Sequence, residues 1–425
     1  MLLQFTFRNF KSFRDETTLD LTATKITEYN KHVISIGNEK ILPITAIFGA
    51  NASGKSNVYE AFRYMSTYVA NSFAYGGNDS SKKSKLDFMT PTPFLFDTVS
   101  QNLESSFEVH FIDSEANGAK SYNYGFTVNK NGVSEEWLNY KSKSSRGDYK
   151  RIFYRNNDAL DLPGIEAKRQ ENIRVALEKE TLIVSLGAKL RIAKLKFIRD
   201  WFINNEFADF GRPLEDYFLS EQLPDGFVES KEVQKKVVEY FAAFDSSIVG
   251  FEVETLEHTE DKKTQMVRID AYHKVIGTDE AATIPLKLES AGTLKMFALY
   301  PLLQTVLENG GVLFIDELNA RLHPLLVRTF VITFLNPEIN KNHAQLIFTS
   351  HDAWQLNGNL LRRDEVWFTE KSTEGVATLY SLADFADEVG VKIRKDENHE
   401  KNYLLGKYGA IPTMKYFNMF MEAQA

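Results

Sequence analysis

Eight consecutive residues near the start of the chain have the types and spacing of a phosphate-binding loop, G-x-x-x-x-G-K-[ST]. They read Gly49-Ala50-Asn51-Ala52-Ser53-Gly54-Lys55-Ser56. Glycines let a backbone approach a polyphosphate closely, and successive N–H groups at a helix start supply positive potential. We expect Lys55 to reach the β- and γ-phosphates and the Ser56 hydroxyl to hold Mg²⁺.

The residues on either side of this loop predict the elements that must position it. Residues 41–48 form a largely apolar run, which indicates a buried strand. Residues 57–70 have apolar side chains at helical spacing, which indicates a helix. Strand, loop and helix follow in the order that phosphate binding requires, so a chance match is a poor explanation. The predicted nucleotide contacts are Gly49, Asn51, Ala52, Ser53, Gly54, Lys55, Ser56 and Asn57.

Two acidic residues follow a short apolar run in the last third of the chain. Residues 312–315 are all apolar, and Asp316 and Glu317 come directly after them. A buried parallel strand of this kind presents its carboxyl end at the sheet edge where ligands bind. Asp316 is predicted to hold Mg²⁺, and Glu317 to orient and activate the attacking water. An ordinary strand end is the alternative, and the phosphate loop in the same chain disfavours it.

Two further segments have residues suited to a γ-phosphate. His351 follows a predicted strand over 345–348, where it is placed to contact the phosphate or the attacking water. Ser290, Gly292 and Thr293 begin a predicted helix, with a hydroxyl and free N–H groups that also suit phosphate. Taken alone, the second segment is explained as well by an ordinary helix N-cap.

Composition limits the class of protein. The chain has 425 residues, of which 43% are hydrophobic and 25% charged, as in globular proteins. It has no cysteine, which excludes disulfides and cysteine-bound zinc and fits the cytoplasm. No apolar run reaches the length of a membrane helix, so no membrane association is expected. The net charge of −8 gives no long-range attraction for nucleic acid.

The stretches between these motifs predict the organisation of the chain. A polar, glycine-containing stretch over 75–85 predicts a loop. Alternating apolar residues over 106–112, 121–128, 132–140 and 149–154 predict antiparallel strands. The period is helical over 162–244, with one long amphipathic helix over 182–202 whose other face is basic. That face is either solvated surface or a contact for nucleic acid or an acidic partner.

The order of the motifs resembles that of the ATP-binding-cassette (ABC) ATPases, in the branch of structural-maintenance-of-chromosomes heads and overcoming-lysogenization-defect (OLD) proteins. In that resemblance Ser290-Ala291-Gly292 matches the signature motif, which caps the γ-phosphate bound by a second protomer. Asp316-Glu317 matches Walker B, residues 317–324 resemble the D-loop region, and His351 matches the switch histidine. No glutamine is identified for the loop after the first lobe, and that position stays open.

Three further segments, 361–368, 379–385 and 403–412, resemble the abortive-infection (AAA15-type) ATPases of bacterial defence systems. The whole match covers about 1–60 and 283–415. The coiled coil of chromosome-maintenance proteins is missing. About thirty residues follow Arg394, too few for the nuclease domain of OLD proteins, so a separate effector is expected.

Together these observations predict an α/β fold: an ABC-type P-loop ATPase head with an antiparallel β subdomain and a helical insertion. The expected parts are a first lobe over 1–160, an insertion over 161–245 and a second lobe over 246–425. The predicted function is ATP hydrolysis with Mg²⁺ in a homodimer that sandwiches ATP, with further assembly left open. The implied role is a sensor or scaffold that controls a toxic effector such as a nuclease. The alternative is a DNA maintenance or repair ATPase that acts directly on nucleic acid.

Overall fold

A computed structural model describes residues 1–74, 90–113, 119–142, 148–220, 222–242, 245–256, 266–357, 360–386, 393–394 and 397–411. The loop predicted over 75–85 lies outside these residues. The chain divides into two compact units, residues 1–203 with 347–425, and residues 204–346. The α/β fold with an antiparallel subdomain, predicted from the sequence, is confirmed.

The first unit contains a seven-stranded antiparallel sheet in the order β10-β9-β8-β7-β6-β1-β2. Its strands are β1 (Leu2–Arg8), β2 (Thr17–Asp20), β6 (Ser105–Asp113), β7 (Lys120–Asn129), β8 (Gly132–Ser142), β9 (Lys150–Asn156) and β10 (Ala159–Asp161). The four strands predicted between 106 and 154 are therefore confirmed. Alternate side chains such as Phe107 and Phe126 are opposite each other and buried, as the alternating pattern requires.

The remaining strands of the first unit include the one that leads into the phosphate loop. A hairpin joins β3 (Ile34–Ile36) and β4 (Glu39–Ile41), and β5 (Ile44–Gly49) follows. The strand predicted over 41–48 thus begins later, because Pro43, which has no N–H group to pair, separates β4 from β5. β5 pairs in parallel with β17 (Val366–Lys371), which pairs antiparallel with β18 (Ala377–Ser381).

Helix α1 (Lys55–Asn71) carries the phosphate loop at its N-terminus and packs on the antiparallel sheet. Phe62 meets Phe5 edge to face at 5.1 Å between ring centres, and Tyr68 stacks on Phe126 at 5.3 Å. These aromatic pairs bury one face of the helix along its length. They fix the direction in which the helix N-terminus points.

The long helix predicted over 182–202 is wrong, because the chain turns in its middle. The structure has α2 (Ala167–Ala176), then α3 (Ile183–Lys189) and α4 (Ala193–Ile203). Arg191, between α3 and α4, has the left-handed angle φ = +58°. Gly187 allows the two helices to meet, since a Cβ there would lie 2.1 Å from Leu195. The short helix α9 (His399–Leu404) also belongs to this unit.

The second unit pairs two parallel strands, β11 (Glu206–Asp209) and β15 (Val312–Asp316). It also contains an antiparallel meander of β12 (Ile248–Leu256), β13 (Met266–Lys274) and β14 (Ala281–Pro285). Its helices are α5 (Pro213–Ser220), α6 (Lys231–Phe241), α7 (Ala291–Asn309) and α8 (Pro324–Leu335). A cluster of buried rings forms its core, and the cluster comprises Phe227, Phe241, Phe251 and Phe297.

β16 (Gln345–Ser350) takes the chain from the second unit back to the first, and all six of its residues are buried. β11 lies inside the stretch whose period is helical, so the sequence did not predict this strand. The three-part division at 160 and 245 stays a prediction. In the described part of the chain, no helix is long and apolar enough to cross a membrane.

Candidate nucleotide site

The predicted phosphate loop joins the buried strand β5 to helix α1 through three residues with positive φ. Gly49 has φ = +154°, Ala52 has φ = +63° and Gly54 has φ = +119°. An L side chain rarely adopts the two glycine conformations, so this backbone depends on glycine at both positions. The result is a tight turn whose end, at Gly54 and Lys55, is the start of a helix 17 residues long.

Gly49 is also required by the space around it. A Cβ built at this position would lie 2.5 Å from the carbonyl oxygen of Thr369 and 2.7 Å from Ser53 Oγ. The hydroxyls of Ser53 and Thr369 are 2.6 Å apart, and both residues are buried. This hydrogen bond ties the loop to β17. Contacts within the protein therefore hold the loop in this shape.

Lys55 lies across the loop and is only 7% exposed. Its Nζ donates to the carbonyl oxygens of Gly49, at 2.7 Å, and Ala50, at 3.0 Å. An ammonium group has three donors, and these two carbonyls orient it over the turn. A phosphate beside this group would meet a positive charge that is already in position.

The other predicted contacts of the loop differ in their surroundings. Ser56, in the first turn of α1, is partly buried, and Asn51 and Ala52 are exposed. The side chain of Asn57 donates to Ser12 Oγ at 2.7 Å, which gives it a structural role in holding the loop to the turn after β1. Its part in nucleotide binding stays a prediction.

His351 is in the first unit, directly after β16, and its side chain is exposed. The next residue, Asp352, begins a short helical turn by accepting from the N–H of Trp354 at 3.0 Å. Its own N–H donates to Ser350 Oγ at 3.0 Å. These two bonds fix the backbone on which His351 stands, at the carboxyl end of a fully buried strand.

The acidic pair predicted for Walker B is in the second unit. Asp316 ends β15 and is 2% exposed, and Glu317 has the left-handed angle φ = +55°. The buried ammonium of Lys295 holds this turn, since it donates to the carbonyl oxygens of Glu317, Leu318 and Ala320 at 2.8 to 3.1 Å. Strain at a single non-glycine residue is typical of functional sites. Lys295 stabilises the strained turn through these three hydrogen bonds.

A third carboxylate, for which no site role was predicted from the sequence, lies beside the acidic pair Asp316-Glu317. Asp209 ends β11 and is directly opposite Asp316 in the parallel register. Its side chain accepts from the N–H of Gly211 at 2.9 Å and forms an ion pair with Arg212, whose Nε lies 3.3 Å away. A Cβ at Gly211 would lie 3.2 Å from the carboxyl carbon of Glu317, so the glycine makes room for that side chain.

Burial, and after it the neighbouring carboxylate of Asp316, raises the pKa of Asp209 from 3.8 to about 6. Between these two values the folded protein holds a proton that the unfolded chain has released. Stability should therefore fall by up to about 3 kcal/mol as the pH rises from about 4 to about 6, without nucleotide or metal.

Asp209→Asn should remove most of this pH dependence, because asparagine still accepts from Gly211 but carries no charge. Urea unfolding between pH 4 and 7 would measure it. Asp225→Asn, at an exposed aspartate of the same unit, is the matched control and should keep the wild-type slope. Equal slopes for Asp209→Asn and wild type would show that the pKa of Asp209 is not raised in the folded protein.

The predicted signature residues begin α7. Ser290 is its N-cap, and Ser290 Oγ accepts from the N–H of Thr293 at 3.1 Å and lies 2.8 Å from Thr293 Oγ1. A Cβ at Gly292 would lie 3.2 Å from the carbonyl oxygen of Arg321. Ser290 therefore acts as an ordinary helix N-cap, the alternative that the sequence left open. It leaves the remaining N–H groups of the first turn available to an anion.

The residues fit ATP and Mg²⁺ by their chemistry. Ser56 and Asp316 offer a hydroxyl and a carboxylate, which are the hard oxygen ligands that Mg²⁺ prefers. Among the described residues, no group of three or more His, Cys, Asp or Glu side chains is placed to hold a metal ion. Mg²⁺ in nucleotide sites typically takes one or two protein ligands and completes its shell with phosphate and water.

Comparison with known proteins gives a family and a set of similar solved structures. A family model described as "AAA domain, putative AbiEii toxin, Type IV TA system" matches residues 44–353. The chain resembles the structure of the SmcHead bound to the C-winged helix domain of ScpA, with 15% identity, coverage of 89% of this chain and 97% of that one, and a TM-score of 0.41. It also resembles the recombination mediator protein RecF with ATP, with 13% identity, the same coverages and a TM-score of 0.35. No curated protein matches the chain.

Proposed function

The chain belongs to the family of AAA domains described as "putative AbiEii toxin, Type IV TA system", and from that premise we propose that it hydrolyses ATP between two copies of itself in order to control a separate toxic effector. The observation that carries the proposal is the loop 49–56. Its two glycines, its tie to β17 and its oriented Lys55 form a phosphate cradle at the start of a helix.

In the proposed reaction each side chain has one task. Lys55 places its charge on the β- and γ-phosphates, and Ser56 and Asp316 hold Mg²⁺, which neutralises phosphate charge when bound. Glu317 takes a proton from water while the water oxygen attacks the γ-phosphorus and the bond to the ADP oxygen breaks. His351 contacts the γ-phosphate. Ser290, Gly292 and Thr293 of a second copy cap the same phosphate.

The biological role rests on resemblance and on the family description. The segments 361–368, 379–385 and 403–412 resemble abortive-infection ATPases, and the family description names a toxin of a type IV toxin–antitoxin system. We propose a cytoplasmic sensor of phage infection whose ATP state restrains or releases a partner such as a nuclease. Co-purification from the native host, with and without ATP, would test this by recovering the product of a neighbouring gene.

The proposed sandwich predicts that the signature acts on the other copy. Ser290→Arg should block ATP-dependent dimerisation while each copy still binds nucleotide, because a bulky cation would occupy the place of the partner's phosphate. Size-exclusion chromatography with ATP would measure dimerisation. When Ser290→Arg and Lys55→Ala proteins are mixed, each mixed dimer should contain at most one intact site, formed by the phosphate loop of one copy and the signature of the other. Normal hydrolysis by Ser290→Arg would contradict the sandwich.

A matched control separates this effect from the loss of a helix cap. Ser230 caps α6 in the same unit, and Ser230 Oγ accepts from the N–H of Val233 at 3.3 Å. Ser230→Arg should therefore cost a similar ~1 kcal/mol of stability and leave dimerisation intact. Equal losses of dimerisation in both variants would show that the loss of a helix N-cap, and not a blocked phosphate contact, causes the effect.

The alternative, direct action on DNA, would use the basic residues over 189–199. Several of these are engaged in the protein: Lys194 Nζ donates to Gly164 O at 3.1 Å, and Lys196 pairs with Asp200. They also lie on two helices and the turn between them and not along one continuous face. Salt-dependent binding of DNA by the isolated protein would favour the alternative.

A further inference from the structure

A cavity of about 430 Å³ lies in the first unit, at the end of α1 opposite the phosphate loop. Four of its six lining residues carry a positive charge. The lining consists of Phe73, Ala188, Lys189, Arg191, Lys196 and Arg199. At 17 residues, α1 places this cavity about 25 Å from the loop that begins the helix.

Two of the cations are held in place by contacts with the end of α1 and with Phe73, in the turn that follows it. Arg199 Nε donates to the carbonyl oxygen of Ala70 at 2.7 Å, and its guanidinium lies 5.4 Å from the ring centre of Phe73. Lys189 Nζ lies 5.1 Å from the same centre. These contacts orient the charges without neutralising them, since a carbonyl and a ring are not anions.

Among the described residues, the cavity carries more positive charge than the nearby carboxylates balance. Lys196 pairs with Asp200. In the parts of the chain that the structure describes, no carboxylate lies within 4.0 Å of Lys189, Arg191 or Arg199. A helix C-terminus attracts cations. Arg199 donates to Ala70 in the last turn of α1, so this attraction explains the position of Arg199. Lys189 lies in the last turn of α3, which explains it in the same way, so of these three cations Arg191 remains without such an explanation.

Arg191 is the strongest sign that the cavity has a use. Its φ of +58° lies in the left-handed region, where an L side chain costs roughly 1 kcal/mol and where glycine is the usual residue after a helix. The turn is closed by hydrogen bonds from Arg191 N to Ala188 O and from Ile192 N to Gly187 O. An arginine here adds a guanidinium to the cavity at a cost that glycine would avoid.

We propose that this cavity binds a small ligand with two or more phosphate groups, at a site separate from the phosphate loop. Guanidinium groups match phosphate oxygens in a paired geometry, and the volume is that of a small-molecule pocket. Two cations already lie against the ring of Phe73, which leaves it poorly placed to stack a base of a nucleic acid strand. The net charge of −8 also opposes a long polyanion.

Calorimetric titration of the full chain with inorganic pyrophosphate tests the proposal. Arg191→Gly removes the cation and relieves the strained turn, so the variant should remain folded and bind pyrophosphate at the cavity about tenfold or more weakly. Arg199→Gln should weaken it similarly. Lys55→Ala, in the phosphate loop, should keep the cavity site, and Lys168→Ala, at an exposed lysine of α2, is the charge-matched control and should bind as wild type.

Unchanged pyrophosphate affinity in Arg191→Gly and Arg199→Gln would overturn the proposal. So would a loss of all pyrophosphate binding in Lys55→Ala, which would assign the anion to the phosphate loop alone. A single-stranded oligonucleotide that binds wild type more tightly than pyrophosphate, and loses affinity in the two arginine variants, would overturn it in favour of nucleic acid. The test does not depend on ATP hydrolysis, so its outcome is separate from that of the proposed function.

Discussion

Glu317→Gln should reduce ATP turnover by about a hundredfold or more while ATP binding is retained. Glutamine keeps the size and the hydrogen-bonding capacity of the side chain but cannot take the proton of the attacking water. Asp316 and the loop 49–56 are unchanged, so the metal and the phosphates keep their predicted ligands. The variant should therefore accumulate in the ATP-bound, dimeric form.

The structure gives reasons to expect an effect on chemistry and not on folding. The backbone of Glu317 is fixed by Lys295, which holds its carbonyl oxygen and those of two later residues. That hold does not involve the Glu317 side chain. The side chain has room because Gly211 carries no Cβ. A glutamine has the same size and fits the same space, so the free energy of unfolding should change little.

Steady-state ATPase assays and size-exclusion chromatography with ATP would measure the two halves of this prediction. Glu308→Gln, at an exposed glutamate of α7 in the same unit, is the control for the loss of one negative charge. Wild-type turnover by Glu317→Gln would show that another group positions the water. A failure to bind ATP would instead place Glu317 among the metal ligands.

The same variant tests the proposed role in defence. If the ATP state controls an effector, a protein held in its ATP-bound form should fix that effector in one state. A growth assay with the neighbouring gene would then show either constant toxicity or constant restraint. Growth that responds to phage as in the wild type would contradict control by ATP, even if the purified variant were inactive.

The parts of the site that could be predicted from sequence are those whose signal is local. The loop 49–56 is one continuous pattern, and its glycines are explained by positive φ and by contact with Thr369. The acidic pair follows four apolar residues, and the structure shows a fully buried strand there. In each case the chemistry needs neighbouring residues in a fixed order, which a sequence displays directly.

What could not be predicted depends on packing between distant segments. Asp209 ends a strand of four residues within a helical stretch, and only its register opposite Asp316 identifies it as part of the site. The alternation of Phe207 and Asp209 after Asn205 is a weak signal of a strand. It covers too few residues to distinguish a strand from the end of a helix. The break at Arg191 was missed because the apolar spacing continues across it, and no glycine or proline marks the turn.

Lys55→Ala should abolish ATP turnover and weaken ATP binding by about a hundredfold or more, because a charge-assisted contact with the phosphates is lost. In the structure the ammonium is buried and already oriented by Gly49 O and Ala50 O. A water molecule could replace its hydrogen bonds to these carbonyls but not its charge. The change therefore removes the positive potential at the centre of the cradle.

Binding of a fluorescent ATP analogue and steady-state hydrolysis would measure these losses, and thermal unfolding would show whether the variant is folded. Lys40→Ala, at an exposed lysine of β4 in the same unit, is the control for the loss of one positive charge and should bind and hydrolyse ATP as wild type. Hydrolysis at the wild-type rate by folded Lys55→Ala would refute the assignment of the loop. Loss of hydrolysis with unchanged ATP affinity would instead mean that Lys55 acts on the transition state alone, since an interaction made only there lowers turnover without weakening binding.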